Sequence, residues 1–435
     1  MKNVLIIGSG AREHTLAWKI SQSKHLNQLY IIPGNTGTAQ CGTNINIPTT
    51  NFDEIKKIIW EKDIDIVVVG PEEPLVKGIT DAITSDKILQ DVIVIGPAQK
   101  GAMLEGSKQF AKDFMHKYNI PTARYQKFNK QQINDAYSFL DTLTPPYVIK
   151  ADGLAAGKGV VIAENIQDAH QTIKEFFNGK FGPASENIVI EEFLTGIEVS
   201  YFILCNGKNY VLLPEAKDYK RIGENDTGLN TGGMGTVSPA EGIATKEFTQ
   251  KVIQQIIEPT LNGLEQEKIN YCGFIFFGLM NVNGNPYVIE YNCRLGDPET
   301  ESILPRIEND LIDLFEKTWH KQLTPDTIHI SDKKAATVIL ASRGYPEHFE
   351  KGIEIKIDKD IPLNTHIFHA GTKIENNRLL TNGGRVMAVT SLGNSLQQAL
   401  QYSYNAIEKI HFENKYYRKD IGQDILKISA KSSTH

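Results

Sequence analysis

Only four of the 435 residues are cysteine: Cys41, Cys205, Cys272 and Cys293. They lie far apart, with no Cys-x-x-Cys pair and no histidine close enough to complete a zinc knuckle, which points away from a disulfide framework or a structural zinc. Reduced, buried thiols are expected. Long apolar runs are also missing: Gly273 to Met280 is less than half of the ~18 residues that a membrane span needs. The chain begins Met-Lys, then Val4 to Ile7, then Gly8-Ser9-Gly10, which is too short an apolar stretch for a secretory signal. A cytoplasmic protein with no membrane contact is therefore expected. Charge of one sign is lacking too, since 46 basic against 52 acidic side chains leave a net −6. That excludes a nucleic-acid binder working by bulk positive charge, while leaving room for a local basic pocket around a small phosphate. There is no repeat or low-complexity segment, no Gly-x-Ser-x-Gly elbow, and no cysteine flanked as a nucleophile would be.

What is present is length enough for about three domains with ordinary cores. The first hundred residues alternate Val/Ile runs with amphipathic stretches: Val4 to Ile7, a helix from about Ala11, Leu29 to Ile32, Ile64 to Val69, and Val92 to Ile95. Continuous β-branched runs of this kind predict a parallel α/β sheet, buried on both faces. Three of them end in similar punctuation, Pro33-Gly34-Asn35, Gly70-Pro71-Glu72 and Gly96-Pro97, where such a sheet places its ligand crevice. Met103 to Tyr118 reads as helix. Tyr147 to Phe202 reads as a small α+β unit: strand Tyr147 to Ala151, a glycine loop, strand Val160 to Ala163, helix Asp168 to Phe177, and strand Ile188 to Phe193. A helix over Lys246 to Glu265 and strands over Gly273 to Val282 and Pro286 to Cys293 follow. Beyond Pro325 the pattern is β-rich, with Ala335 to Ala341, His366 to Thr372 and Gly384 to Thr390, then a helix near Ser395 to Ile410.

Several clusters suggest anion chemistry. Gly8-Ser9-Gly10-Ala11-Arg12-Glu13 follows a strand and opens a helix, but Glu13 stands at the third glycine of the dinucleotide fingerprint, and no acidic residue ends the second strand. What remains is a glycine turn presenting N–H groups and a helix N-terminus, with Arg12 as a bidentate partner for an anion, or simply a tight turn with Arg12 in solvent. Gly153-Leu154-Ala155-Ala156-Gly157-Lys158-Gly159 lacks the spacing of a P-loop. A Gly/Ala loop between two strands can instead fold over a triphosphate, with Lys158 and Lys150 as cations, or be a plain hairpin turn. Glu290 and Asn292, two apart on a strand, face the same way and offer hard oxygen ligands for Mg²⁺; a surface pair is the bland alternative. Glu191 to Glu198 could be a hinge that reads an adenine edge and ribose hydroxyls, or a solvated acidic loop. His366 and His369 lack a third metal ligand and are expected to be packed or hydrogen-bonded.

Taken in order, these stretches resemble one family, the phosphoribosylamine–glycine ligases (glycinamide ribonucleotide synthetases) of the ATP-grasp superfamily. The likeness runs through Gly8-x-Gly10-x-Arg12-Glu13-His14, Pro33-Gly34-Asn35, Val69-Gly70-Pro71-Glu72, Leu104-Glu105-Gly106-Ser107-Lys108, and Val148 to Gly159. It continues through Glu191 to Leu194, Asn230 to Gly235, Asn292 to Thr300, Asn382 to Val386 and Tyr417 to Gly422, essentially the whole chain. The resemblance implies an α/β and α+β multidomain protein: a parallel α/β domain over 1–102, an ATP-grasp domain over 103–325 with a mobile lid at about 121–192, and a β-rich C-terminal domain over 326–435. It implies ATP-dependent ligation of glycine to 5-phosphoribosylamine in purine synthesis through a glycyl phosphate, with Mg²⁺ or Mn²⁺, small-molecule partners only, and a monomeric chain.

Carried over by position, the resemblance implies that ATP is held by Lys108, Lys150, Gly153, Gly157, Lys158, Gly159, Glu191, Glu192, Phe193, Leu194 and Glu198, and metal by Glu290 and Asn292. Gly10, Arg12, Glu13, His14, Pro33, Asn35, Glu72, Asp218, Lys220, Thr231, Gly232 and Gly233 would surround phosphoribosylamine. Arg294, Asp297, Pro298 and Glu299 would face glycine and the acyl phosphate, with Arg294, Lys158 and Asp297 as catalytic groups. The sequence departs from the family pattern at Ala11, where glycine is usual, at Leu229, where proline is usual, and at Ala216-Lys217-Asp218-Tyr219, where Ser-Gln-Asp-His is typical. Two other classes compete: a different ATP-grasp carboxylate–amine ligase, and a nucleotide-binding sensor without catalysis. The Arg12-Glu13-His14 loop and the Arg294 to Thr300 turn favour the first reading over another ligase, and intact Lys150, Glu290 and Asn292 favour an enzyme over a sensor.

Overall fold

The computed structural model describes residues 1–153 and 159–432. The Val/Ile runs of the first hundred residues form a five-stranded parallel sheet, ordered Thr43–Asn44, Leu26–Pro33, Lys2–Gly8, Ile66–Val69, Ile93–Ile95. Val4 to Ile7 and Ile66 to Val68 are fully buried, as strands covered on both faces require. The strand order reverses at Lys2–Gly8, which pairs with Leu26–Pro33 on one side and Ile66–Val69 on the other. A crevice therefore opens beyond the carboxyl ends of these strands, where Gly8 to Gly10 and Gly70 to Glu72 sit. The edge strand Thr43–Asn44 is too short to leave a pattern in the sequence.

The helical stretch expected from Met103 to Tyr118 is two helices, Gln99–Gly106 and Lys108–Lys117. Ser107 separates them in an extended conformation, and its hydroxyl accepts the Phe110 amide as an N-cap. Beyond them lies a four-stranded antiparallel sheet, ordered Tyr125–Asn129, Asn187–Glu192, Tyr147–Ala151, Val160–Ala163. Its core is a cluster of its own, built from Phe128, Leu140, Tyr147, Ile149, Phe176 and Ile190 with helices Ile133–Leu140 and Ile166–Phe177. The strand Tyr125–Asn129 and helix Ile133–Leu140 were not legible, because their short amphipathic runs are interrupted by polar residues.

A second antiparallel sheet has the order Asn209–Leu212, Ile197–Asn206, Cys272–Val282, Asn285–Asn292. The last pair is irregular: Gly278 opposes Glu290 but Leu279 opposes Val288, so Ile289 is an extra, bulged residue. Such a bulge turns the following side chains and bends the strand. The helix read over Lys246 to Glu265 contains a wider turn at Ile253–Ile257, before Pro259 in the helix Glu258–Gln266. A wider turn accommodates the proline, which cannot donate within the ladder.

The β-rich C-terminal region forms a five-stranded sheet with strands from earlier in the chain: Lys217–Asp218, Gly235–Ser238, Lys334–Ala341, Arg385–Gly393, Thr365–His369. Residues 217–238 and the C-terminal region thus share a continuous hydrogen-bonded sheet. No helix among the described residues is long and apolar enough to cross a membrane.

Candidate active site

Lysines from three segments converge on the strand Asn285–Asn292. Lys150 and Glu191 lie on neighbouring strands of the first antiparallel sheet, two residues out of register and so on one face. They form an ion pair at 2.8 Å, and the Lys150 ammonium donates to the carbonyl of the bulged Ile289 at 3.2 Å. Lys108, the first residue of its helix, donates to Gly153 O at 3.3 Å. Asp152, just before the glycine loop, accepts from the Ser107 hydroxyl and the Gln109 amide, both at 2.9 Å, and so fastens the loop's start to that helix. Lys220 pairs with Glu198 at 2.9 Å and approaches Glu290 at 3.8 Å.

Glu290 is the focus of these charges. Burial pushes its carboxyl up, but Lys220, then Lys150, Lys108 and Arg294, pull harder and leave it below the usual carboxylate range. Burial pulls Lys108 below the usual lysine range despite Glu290. Lys220 goes the other way, because Glu198, Asp218 and Glu290 overcome its burial and raise it well above. A Cβ at Gly278 would come within 3.0 Å of Glu290 Cγ, so glycine opposite the bulge gives that side chain its place. Asn292 stands on the same face, and its amide nitrogen, suitably oriented, donates to Tyr291 O and Glu105 Oε1, both at 3.0 Å. Its amide oxygen then points away from Glu105. Among the described residues, no three histidine, cysteine or acidic side chains are grouped to hold a metal. Two oxygen donors beside several cations instead fit an ion whose shell is completed by water and phosphate oxygens.

A second concentration of charge lies between the parallel sheet and the C-terminal strands. Arg294 donates to Glu105 at 2.6 Å and approaches Glu72 at 3.5 Å. Burial works against Arg294, but Glu105 and Glu72 hold its guanidinium firmly charged. The buried Arg12 pairs with Glu13 at 2.7 Å and donates to Leu295 O at 3.2 Å. Arg385, from the C-terminal sheet, pairs with Asp297 at 3.0 Å and donates to the carbonyls of Asp297 and Gly232. Gly233 has φ +111°, and a Cβ there would lie 2.3 Å from Pro298 Cδ, so only glycine allows this loop to approach the Asp297-Pro298-Glu299 turn. Glu299 accepts from Ser200 at 3.0 Å; burial, and then Asp218, push its carboxyl up to about 7. Glu301 is fully buried with neither oxygen hydrogen-bonded among the described residues, and burial, then Asp297, hold it well above the carboxylate range.

Several anticipated contact residues are already engaged by the protein. Glu13 accepts the Gly10 amide at 2.6 Å and packs beneath Gly8 and Gly70, where any Cβ would collide with it. Asn35 donates to Ser9 O, Gly10 O and His369 O and accepts the amides of Gly37 and Thr38. His14 Nδ1 accepts the His369 amide at 2.8 Å. These three shape the loop after Pro33 and the turn at Gly10, leaving backbone groups and Arg12 nearer the crevice. Thr231 accepts from Gly233 N and donates to Lys220 O, which places Gly232 and Gly233 beside Lys220. Glu192 accepts the Arg124 amide, and Phe193 is 39 % exposed at the end of the strand. Leu194 lies just beyond the strand Asn187–Glu192, Gly10 caps the helix Ala11–Ile20 and Pro298 caps the helix Glu299–Ile303. The Gly159 carbonyl accepts the Ala151 amide at 2.8 Å at the loop's far end. Gly157 and Lys158 lie outside the described residues.

The departures at Lys217 and Tyr219 point away from this site. Lys217 pairs with Asp424 at 3.1 Å and lies 3.8 Å from the Tyr219 ring centre, while Tyr219 donates to Asp424 and accepts the Gly422 amide at 3.0 Å. Asp218 and Lys220 alternate with them and face Glu198 and Glu290, as the charges acting on both show. Sequence reasoning missed Lys112, Glu105, Arg385 and Glu301 as parts of these clusters. Lys112 was findable as the residue one turn after Lys108 on the same helix face, and Arg385 from its place after Gly383-Gly384. Glu105 and Glu301 left no comparable signal.

Two four-stranded antiparallel sheets, with Lys150 of the first, Lys108 of the preceding helix and Lys220 gathered at Glu290 on a strand of the second, are the ATP-grasp architecture. The model of the phosphoribosylglycinamide synthetase ATP-grasp (A) domain matches residues 106–300, that of the N domain residues 2–105, and that of the C domain residues 335–424. The chain is 43% identical over 426 residues to a phosphoribosylamine–glycine ligase of Haemophilus influenzae, covering 97% of each. It is 44% identical over 430 residues to one of Chlorobaculum tepidum, covering 97% of this chain and 100% of that one. The crystal structure of the phosphoribosylamine–glycine ligase of Thermotoga maritima superposes with a TM-score of 0.83 at 36% identity, over 96% of this chain and all of that one. The chain belongs to the phosphoribosylglycinamide synthetase family.

The histidines at the junction of the first helix and the strand Thr365–His369 yield an acid-stability prediction. Burial, and then the neighbouring His369, pull His14 down to about 3, and burial pulls His369 down to about 4. Both bind a proton less readily folded than unfolded, so their contribution is complete above about pH 6.5 and is lost as the pH falls toward 4 and 3. Relative to the native chain, His14→Gln is expected to lose stability less steeply below pH 6.5, by up to about 1.4 kcal/mol per pH unit. Urea midpoints measured from pH 7 to pH 4 check this, and parallel curves would rule His14 out.

Proposed function

We propose that this chain ligates glycine to 5-phosphoribosylamine with cleavage of ATP to ADP and phosphate, giving glycinamide ribonucleotide in purine synthesis. The observation that carries the reading is the convergence of Lys108, Lys150 and Lys220 on Glu290, next to an arginine cluster reaching the crevice of the parallel sheet. ATP lies along the lid, with its triphosphate near Lys108, Lys150, the loop Gly153 to Gly159, and its adenosine against Glu191 to Leu194 and Glu198. Glu290 and Asn292 would hold Mg²⁺ or Mn²⁺, which would supply positive charge to the phosphate oxygens. Arg12, the Gly10 turn, Glu72 and the loop Thr231 to Gly233 surround the phosphosugar, with Glu13, His14, Pro33 and Asn35 shaping its walls. The division of labour follows segments 1–102, 103–325 and 326–435, and the chain works as a cytoplasmic monomer with no nucleic acid or membrane.

The glycine carboxylate attacks the γ-phosphate, and the phosphoribosylamine nitrogen then attacks the acyl carbon of the glycyl phosphate and expels phosphate. Neither step needs a protein nucleophile, which agrees with the buried thiols of Cys205 and Cys293, pushed well above their ordinary range by burial. The protein's contribution is alignment and the placing of Arg294 and the Asp297-Pro298-Glu299 turn against oxygens that gain charge, with Lys158 as a further cation by the family pattern. Asp218 and Glu299 add acidic groups near the same region, and burial raises both.

ADP release is expected to depend on both glycine and freshly generated phosphoribosylamine, and turnover that persists with either omitted would contradict the assignment. In the same assay Glu290→Ala is expected to reduce ATP cleavage by about a hundredfold to a thousandfold, the scale of loss for an electrostatic group acting on transferring oxygens, with circular dichroism unchanged. Near-native turnover in a folded Glu290→Ala would remove Glu290 from the metal site.

A further inference from the structure

Lys112 is among the largest fully buried side chains of the protein, about 2 % exposed. Its ammonium donates to Glu191 Oε2 at 2.9 Å and to the Thr122 hydroxyl at 2.7 Å. Thr122 in turn donates to Val288 O at 2.7 Å. On the other side of the carboxylate, Lys150 pairs with Glu191 Oε1 at 2.8 Å and donates to Ile289 O. The contacts therefore form a closed circuit: strand Asn285–Asn292 to Thr122, to Lys112 on its helix, to Glu191 and Lys150 on the lid sheet, and back to the same strand, one residue from Glu290. Lid and body meet in this circuit. Lys112 also lies over the Tyr125 ring, 5.5 Å from its centre, and Glu192 and Lys150 complete the charges around it.

Counting charge explains why two lysines share one carboxylate. Glu191 alone would neutralise Lys150; with Lys112 present the buried trio keeps a net charge of +1, and Lys150 is the member nearest Glu290. Burial opposes the charge on Lys112 and brings it down to about 8, against the attraction of Glu191. Burying a further ammonium is costly unless it is fully bonded. Here it is bonded to Glu191 and Thr122.

We propose that Lys112 is a positioning residue for the nucleotide phosphates, dividing the charge of Glu191 so that the charge of Lys150 is only partly compensated, and holding the strands of the Lys150 sheet in register with the strand of Glu290. The proposal rests on the assignment of Lys150 to ATP phosphates. It predicts a specific pattern across four variants, read as the KM for ATP and for glycine and as ADP binding by calorimetry. Lys112→Met leaves Glu191 paired with Lys150 alone, and is expected to weaken ADP and raise the KM for ATP roughly tenfold to a hundredfold, the loss of one charge-assisted contact, with the glycine KM little changed. Lys112→Arg keeps the charge and is expected to retain most of the affinity. The double variant Lys112→Met/Glu191→Gln restores the net charge of +1 at Lys150 and is expected to bind ADP more tightly than Lys112→Met, a non-additivity that a purely structural role does not produce.

An unchanged KM for ATP in folded Lys112→Met would overturn the proposal. So would equal losses for ATP and glycine, or a double variant no better than the single one. Should Lys112→Met fail to fold, Lys112→Gln, which removes the charge but can still hydrogen-bond Thr122, is read in its place by the same outcomes. Lys150→Met separates the two claims. If it weakens ADP while Lys112→Met does not, the inference fails and the lysine assignment stands; if it leaves ADP binding intact, Lys150 is not a phosphate ligand and the inference falls with it.

Discussion

Holding several like charges close together is the constraint on which the rest of this structure depends. Lys108, Lys150 and Lys220 repel one another, yet all three are drawn toward Glu290 by the segments that carry them. In water such a cluster would disperse; here each lysine has a partner from another part of the chain. Gly153 O receives Lys108, Glu191 receives Lys150, and Glu198 receives Lys220. A site so assembled has attraction for a polyphosphate already in place before any substrate arrives, with little left to reorganise. The partners are few and are spread through the lid and body sheets, which is why those sheets must meet at one strand.

The bulge at Ile289 is a small feature with a large effect. It shifts the pairing of Asn285–Asn292 against Cys272–Val282, frees a carbonyl that Lys150 uses, and turns Glu290 and Asn292 onto the face toward the lysines. Arg294, directly after this strand, is held by Glu105 and Glu72, and so links the lysine cluster at Glu290 to the crevice of the parallel sheet. Arg385 performs the corresponding link from the C-terminal sheet, through Asp297 and Gly232. Three regions of chain thus contribute charge to one continuous site, and the sheet shared by residues 217–238 and 334–393 fixes the last of them in place.

Much of this was legible in the sequence. The parallel strands announced themselves because burial on both faces demands unbroken β-branched runs, as in Val4 to Ile7 and Ile66 to Val69. Glu290 and Asn292 could be paired because a strand repeats every two residues. The strand Ile197–Asn206 was obscured by the acidic stretch before it, and Lys217–Asp218 by its length. Burial was the harder matter. A sequence shows that Glu13, His14 and Asn35 occur together, but their bonds to Gly10, His369 and Thr38 depend on partners far along the chain. Lys112 is a helix residue like any other until its neighbours from the lid surround it. The side chains that depart from the family pattern at Lys217 and Tyr219 meet Asp424, a partner about two hundred residues further along the chain that no local pattern announces.

The central claim is that the protein aligns substrates and neutralises charge while the glycine carboxylate itself takes up the phosphoryl group. Oxygen tracing tests it most directly. With glycine carrying ¹⁸O in both carboxylate positions, the account predicts that the inorganic phosphate released in turnover contains one labelled oxygen and the amide product retains the other. Phosphate released without label, from a reaction that consumes both glycine and phosphoribosylamine, would contradict it.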